Sequence, residues 1–185
     1  MGSRRRWSSW LGVRWCLRYR AAMTTATTTL WRPVGAYELR LIAEVDFAAF
    51  PPRLPEQPIF YPVCNEVYAA EIARKWNPSD PNSGYAGFVT RFELPNAVAG
   101  RYPRQVVGAR RHEELWVPAE DLADFCSAFV GPILITRGWL GQQFPTVVTW
   151  LGPLGEVAGG DLADVVALIA VGELRGGPRS TVDPG

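Results

Sequence analysis

The sequence predicts one α+β domain, spanning residues 29–137. Three observations lead there. Short apolar strands alternate with helical stretches, the run "YAGFVTRFEL" alternates residue by residue in strand fashion, and proline-rich or polar turns separate the units. The chain has 185 residues, 48% of them hydrophobic and 12% aromatic, which is enough to fill a core.

The elements follow in order. "TLWRPV" reads as a strand, and "GAYELRLIAEVDF" as a helix with Leu39, Ile42 and Ala43 at helical spacing. "AFPPRLPEQP" is a loop, since Pro51 and Pro52 exclude both a helix interior and a central strand. "IFYPV" is the next strand, placing Phe60 and Tyr61 on opposite faces. Asn65 is the expected N-cap of "EVYAAEIARKW", whose Tyr68, Ile72 and Trp76 share one face. In "YAGFVTRFEL", Ala86, Phe88, Thr90 and Phe92 face one way and Gly87, Val89 and Arg91 the other. "RQVVG" and "EELWVP" are strands, "AEDLADFCSAFV" a helix and "GPILIT" a final strand.

The ends differ from this middle. Residues 1–28 carry an Arg cluster and no acid, and read either as a disordered basic arm or as an overlong start with Met23 as initiator. Arg14, Arg18 and Arg20 interrupt any apolar run, which argues against a secretory signal. Residues 138–185 read as a loosely packed, Gly-rich tail with one helix, "DLADVVALIAVGEL", too short for the ~20 residues of a membrane span.

A net charge of +1 gives no global field favouring nucleic acid or anionic membrane. Three scattered cysteines and a single histidine supply no disulfide framework and no metal-ligand spacing, so a reducing cytoplasm is the expected location and no metal is expected. No phosphate-binding glycine loop, dinucleotide fingerprint or serine nucleophile motif is present.

Four residue choices stand out. Arg32 is a charge mid-strand, and is either an exposed edge residue or part of a site. Glu114 shares a strand face with Trp116, opposite the core residues Leu115 and Val117, and is either surface decoration or a site residue. Of Phe60 and Tyr61, one belongs to the core and the other is free for a flat ligand. Arg53, in the proline-rich loop, is either solvated or a phosphate contact.

An Arg on strand one, an aromatic strand entering a helix and a Glu on a later strand resemble, in that order, the ADP-ribosyltransferase fold. "PIFYPVCNEVYAAEIA" looks like the family's nicotinamide-stacking element and "EELWVPAEDL" like the segment around its catalytic Glu. Over residues 30–136 the chain is more closely similar to a small bacterial family labelled "ADP-ribosylation/crystallin J1", through "FPPRLPEQPIFYPV" and "ELWVPAE". The resemblance implies an ADP-ribosyltransferase-like split mixed/antiparallel sheet with flanking helices. It implies NAD as substrate and cleavage of the nicotinamide–ribose bond, by a transferase with a protein acceptor or by an NAD glycohydrolase. Arg32 and Glu114 would be catalytic, with Arg32, Arg53, Phe60, Tyr61 and Tyr68 contacting NAD. His112 stands where arginine-directed members carry Glu or Gln, so arginine as acceptor is not implied. The alternative is a non-catalytic nucleotide- or ADP-ribose-binding, or protein-interaction, module on the same fold.

Overall fold

The computed structural model describes residues 26–108, 112–144, 156–157 and 159–170. Expectations for the basic N-terminal segment fall outside these residues, apart from its last three positions. The architecture is α+β. β1 (Thr27–Gly35) leads directly into α1 (Ala36–Glu44), and β2 (Ile59–Phe60) precedes α2 (Glu66–Lys75). Then come β3 (Ala86–Pro95), the single turn α3 (Asn96–Ala99), β4 (Arg104–Val106), β5 (Glu113–Leu115) and β6 (Val117–Pro118). α4 (Leu122–Ser127), β7 (Leu134–Leu140), β8 (Glu156–Val157) and α5 (Gly159–Ala170) complete it.

Among the described residues all ladders are antiparallel. The main sheet runs β1-β3-β7-β8, with β2-β6 and β4-β5 as two-stranded pairs. Val63 ties these together, pairing with Trp31 of β1 on one side and Glu114 of β5 on the other. The mixed alternative for the sheet is therefore not seen among the described strands.

Both faces of the sheet are covered, which explains why β3 is buried almost throughout. One face carries Leu30 and Val34 of β1 with Phe88 and Phe92 of β3, packed under Leu39 and Ile42 of α1, Phe125 of α4 and Val165 and Ile169 of α5. The other carries Val63, Val89 and Trp139 under α2. Asn65 caps α2 as expected, its side chain accepting from the Tyr68 amide at 2.8 Å. The buried stripe of α2 is Tyr68, Ala69, Ala70 and Ala73, whereas Trp76 is 57% exposed at the helix end. The small residues have a cause: a Cβ on Gly87 would collide with the Ala73 carbonyl, so helix and strand touch backbone to backbone.

The expected boundary after residue 137 is corrected. β7 runs through it to Leu140, β8 pairs with Gly138 and Trp139, and α5 buries Leu162, Val165 and Ile169 in the core. The apolar spacing of that helix is what draws it onto α1. Among the described residues no helix is long and apolar enough to cross a membrane.

Candidate functional site

Arg32 lies between Leu30 and Val34 on the core face of β1 and is 9% exposed. It is not an exposed edge residue. Its Nε donates to Glu38 Oε1 at 2.9 Å and its Nη2 to Glu38 Oε2 at 3.3 Å, a two-pronged pair with the first turn of α1. The guanidinium also sits over the Phe60 ring, 4.6 Å from its centroid. Phe60 itself is fully buried, packed against Phe50 and Phe125. It is the core member of the aromatic pair, so its expected role as a ligand contact does not hold.

Tyr61 is the free member, 36% exposed. The ladder that pairs Ile59 with Pro118 and Phe60 with Val117 continues to Val63 and Glu114, which sets Tyr61 opposite Trp116. Their rings meet edge to face at 5.8 Å. Trp116 Nε1 donates to Glu114 Oε1 at 3.0 Å, so Glu114, Trp116 and Tyr61 form one connected group. Arg53 lies near enough for Arg32 to depress its guanidinium pKa, after the larger effect of burial, while Glu38 and Tyr61 oppose the shift. Arg53 Nη2 donates to Gln57 Oε1, and its buried Nε has no partner.

Register decides which of these residues meet. Trp31 and Val63 are partners, as are Val63 and Glu114, so the three side chains share a face. Arg32, one residue on from Trp31, points to the other face. The two expected catalytic side chains are thus separated by the sheet, and the expectation of one shared cleft is corrected.

Glu114 instead gathers with α2. Burial raises the Tyr68 phenol pKa, and the carboxylates of Glu114 and Glu71 raise it further. His112 stacks flat on Tyr68, with ring centroids 4.1 Å apart and planes 9° apart, and its Nε2 is 3.7 Å from Glu71 Oε2. Sequence reasoning missed both this stack and the Arg32–Glu38 pair. No local spacing announces the stack, because it joins the residue just before β5 to a helix residue 44 positions earlier; a Glu in the first turn of α1 was the one visible hint of the ion pair.

Two open depressions lie elsewhere. One, about 390 Å3, is lined by Phe50, Leu122 and Cys126 among others. The second, about 450 Å3, lies between Tyr102 and Trp116. Neither includes Arg32, Arg53, Phe60, Tyr61, Tyr68 or Glu114. Among the described residues no group of three or more His, Cys, Asp or Glu side chains is placed to hold a metal ion.

Comparison with protein-family models, with curated proteins and with solved structures gives no match.

Proposed function

We propose that the protein is a recognition module for a flat, phosphate-bearing ligand of the NAD or ADP-ribose class, and that it does not turn that ligand over. The ring would stack at the exposed edge of Tyr61, and the half-buried guanidinium of Arg53 would meet the phosphate. An ADP-ribosyltransferase-like fold is part of the proposal. It is supported by the Arg-bearing first strand, the aromatic strand entering α2, and the Glu-bearing β5 joined to β1 through Val63.

One observation favours binding over cleavage: the guanidinium of Arg32 is occupied by Glu38, on the face of the sheet opposite Glu114. Stabilising a ribosyl cation needs preorganised groups that converge on one sugar. Here the anion and the cation diverge.

The test is calorimetric titration with NAD and ADP-ribose, beside chromatography for free nicotinamide. Saturable binding without release is expected. Release that disappears in Glu114→Gln would restore the enzymatic reading, and absence of binding by either ligand would remove both.

A further inference from the structure

We propose that the depression between Tyr102 and Trp116 docks an extended basic peptide, setting an arginine or lysine side chain against the two rings and the carboxylates of Asp121 and Asp124. This surface adjoins the Tyr61 edge through Trp116, but peptide docking there does not depend on binding of NAD or ADP-ribose. The depression measures about 450 Å3, and it is open to one side, which suits a chain laid across it better than an enclosed small molecule.

Both rings are held in place. Trp116 is 38% exposed on a segment whose neighbours Leu115 and Val117 are fully buried, yet its indole is fixed by the hydrogen bond to Glu114 and the edge contact with Tyr61. Tyr102 is fixed by edge-on packing against Phe125, with centroids 5.3 Å apart. Rigid rings lose little entropy on binding, and their faces attract cations.

The charges point the same way. Among the described residues lining the depression, Asp121 and Asp124 face Arg101 as the one cation, which leaves one negative charge over. The field reaches the ring: after burial, Asp121 is the largest influence raising the Tyr102 phenol pKa. Backbone recognition is poorly served, because Pro103 and Pro118 in the lining have no N–H and the Trp116 amide is spent on the Pro103 carbonyl at 3.1 Å. Strand addition is therefore disfavoured and side-chain recognition favoured. Proline beside the basic residue suits such a surface, since polyproline segments stay extended and dock on aromatic-lined grooves.

The experiment uses fluorescence anisotropy of the full chain with a labelled heptapeptide carrying one arginine between proline pairs, and a counterpart with glutamine in its place. Saturable binding is expected, at least about tenfold tighter for the arginine peptide and weakening as salt rises from about 0.05 to about 0.5 M. The double variant Asp121→Asn, Asp124→Asn should lose about tenfold or more. Arg101→Gln, which removes the competing cation, should tighten binding, a gain that misfolding cannot imitate. Equal affinity for the two peptides, unchanged affinity in both variants, or no saturation up to about 1 mM would overturn the proposal. Self-association in place of peptide binding would overturn it as well, assigning the face to a second copy of this chain.

Discussion

Arg32 and Glu38 hold each other across the junction of β1 and α1, with Nε–Oε1 at 2.9 Å and Nη2–Oε2 at 3.3 Å. Six residues apart, they fix the angle at which the first helix leaves the first strand. The same contact removes Arg32 from any ligand it was expected to hold.

Breaking this pair from one side should be costly, because a guanidinium would remain buried without its counter-charge. Removing one partner of a fully buried pair costs about 3–5 kcal/mol. Glu38 keeps 22% of its side-chain exposure, so Glu38→Gln should cost less, about 2–3 kcal/mol in urea unfolding. The double variant Arg32→Met, Glu38→Leu should recover much of that loss. If Glu38→Gln is neutral, Arg32 is free to serve a ligand after all.

Ile169 tests whether the C-terminal helix belongs to the domain. It is 1% exposed and packed in the same cluster as Leu39 and Ile42 of α1. Ile169→Ala should destabilise by about 2–5 kcal/mol, the range for emptying a buried aliphatic site. A change below about 0.5 kcal/mol, typical of a surface substitution, would return this helix to a loosely attached tail.

How far the sequence carried the fold follows from the range of each signal. Period-two alternation placed Phe88 and Val89 on opposite faces, and a local capping pattern placed Asn65. Both are decided within a few residues. The same alternation separated buried Phe60 from exposed Tyr61 and assigned Leu115 to the core. What alternation cannot give is how strands pair in space. The bridge from Trp31 through Val63 to Glu114 fixes the face on which Glu114 lies, and it joins segments about 30 and 50 residues apart. Ordering Arg32, Tyr61 and Glu114 along the chain therefore did not bring them together. The glycines around residue 140 likewise suggested a loose end, although Gly141 is where backbone meets backbone: a Cβ there would strike the Pro78 carbonyl.

Cys126 should give the domain a pH-dependent step at alkaline pH. Burial pushes its thiol from 9.0 up to about 11, against a weaker opposing hydrogen bond with the Phe50 backbone. The folded state thus holds this proton more tightly than the unfolded chain. The contribution is fully present below about pH 9 and is lost as pH rises toward 11. Each tenfold difference in proton affinity between the folded and unfolded thiol is worth about 1.4 kcal/mol. Tyr68 and Tyr102 are also raised, so the quantity to follow is the difference between the wild type and Cys126→Ala. Urea unfolding at pH 8 and pH 10.5 should show a shallower decline in the variant. Rapid alkylation of native Cys126 at pH 8 would contradict the assigned thiol.

The last prediction separates recognition from turnover by changing one residue on each side of the question. Tyr61 offers an exposed ring whose edge is supported by Trp116, so Tyr61→Ala should weaken ADP-ribose binding by about 1–3 kcal/mol, the scale of stacking a base on an aromatic. Little stability should be lost, because Phe60 and not Tyr61 fills the core. Glu114 makes its hydrogen bond to Trp116 and shares its face with Trp31, so Glu114→Gln should leave affinity within about twofold. A transition-state carboxylate would also leave ground-state affinity nearly untouched, which is why affinity alone cannot decide. Nicotinamide release decides it: none is expected from the wild type or from either variant. If the wild type releases nicotinamide and Glu114→Gln does not, the carboxylate acts on a sugar that reaches it from the face of α2. In that case Tyr68→Phe and His112→Ala, the ring stack beside it, should be the next substitutions to alter the rate.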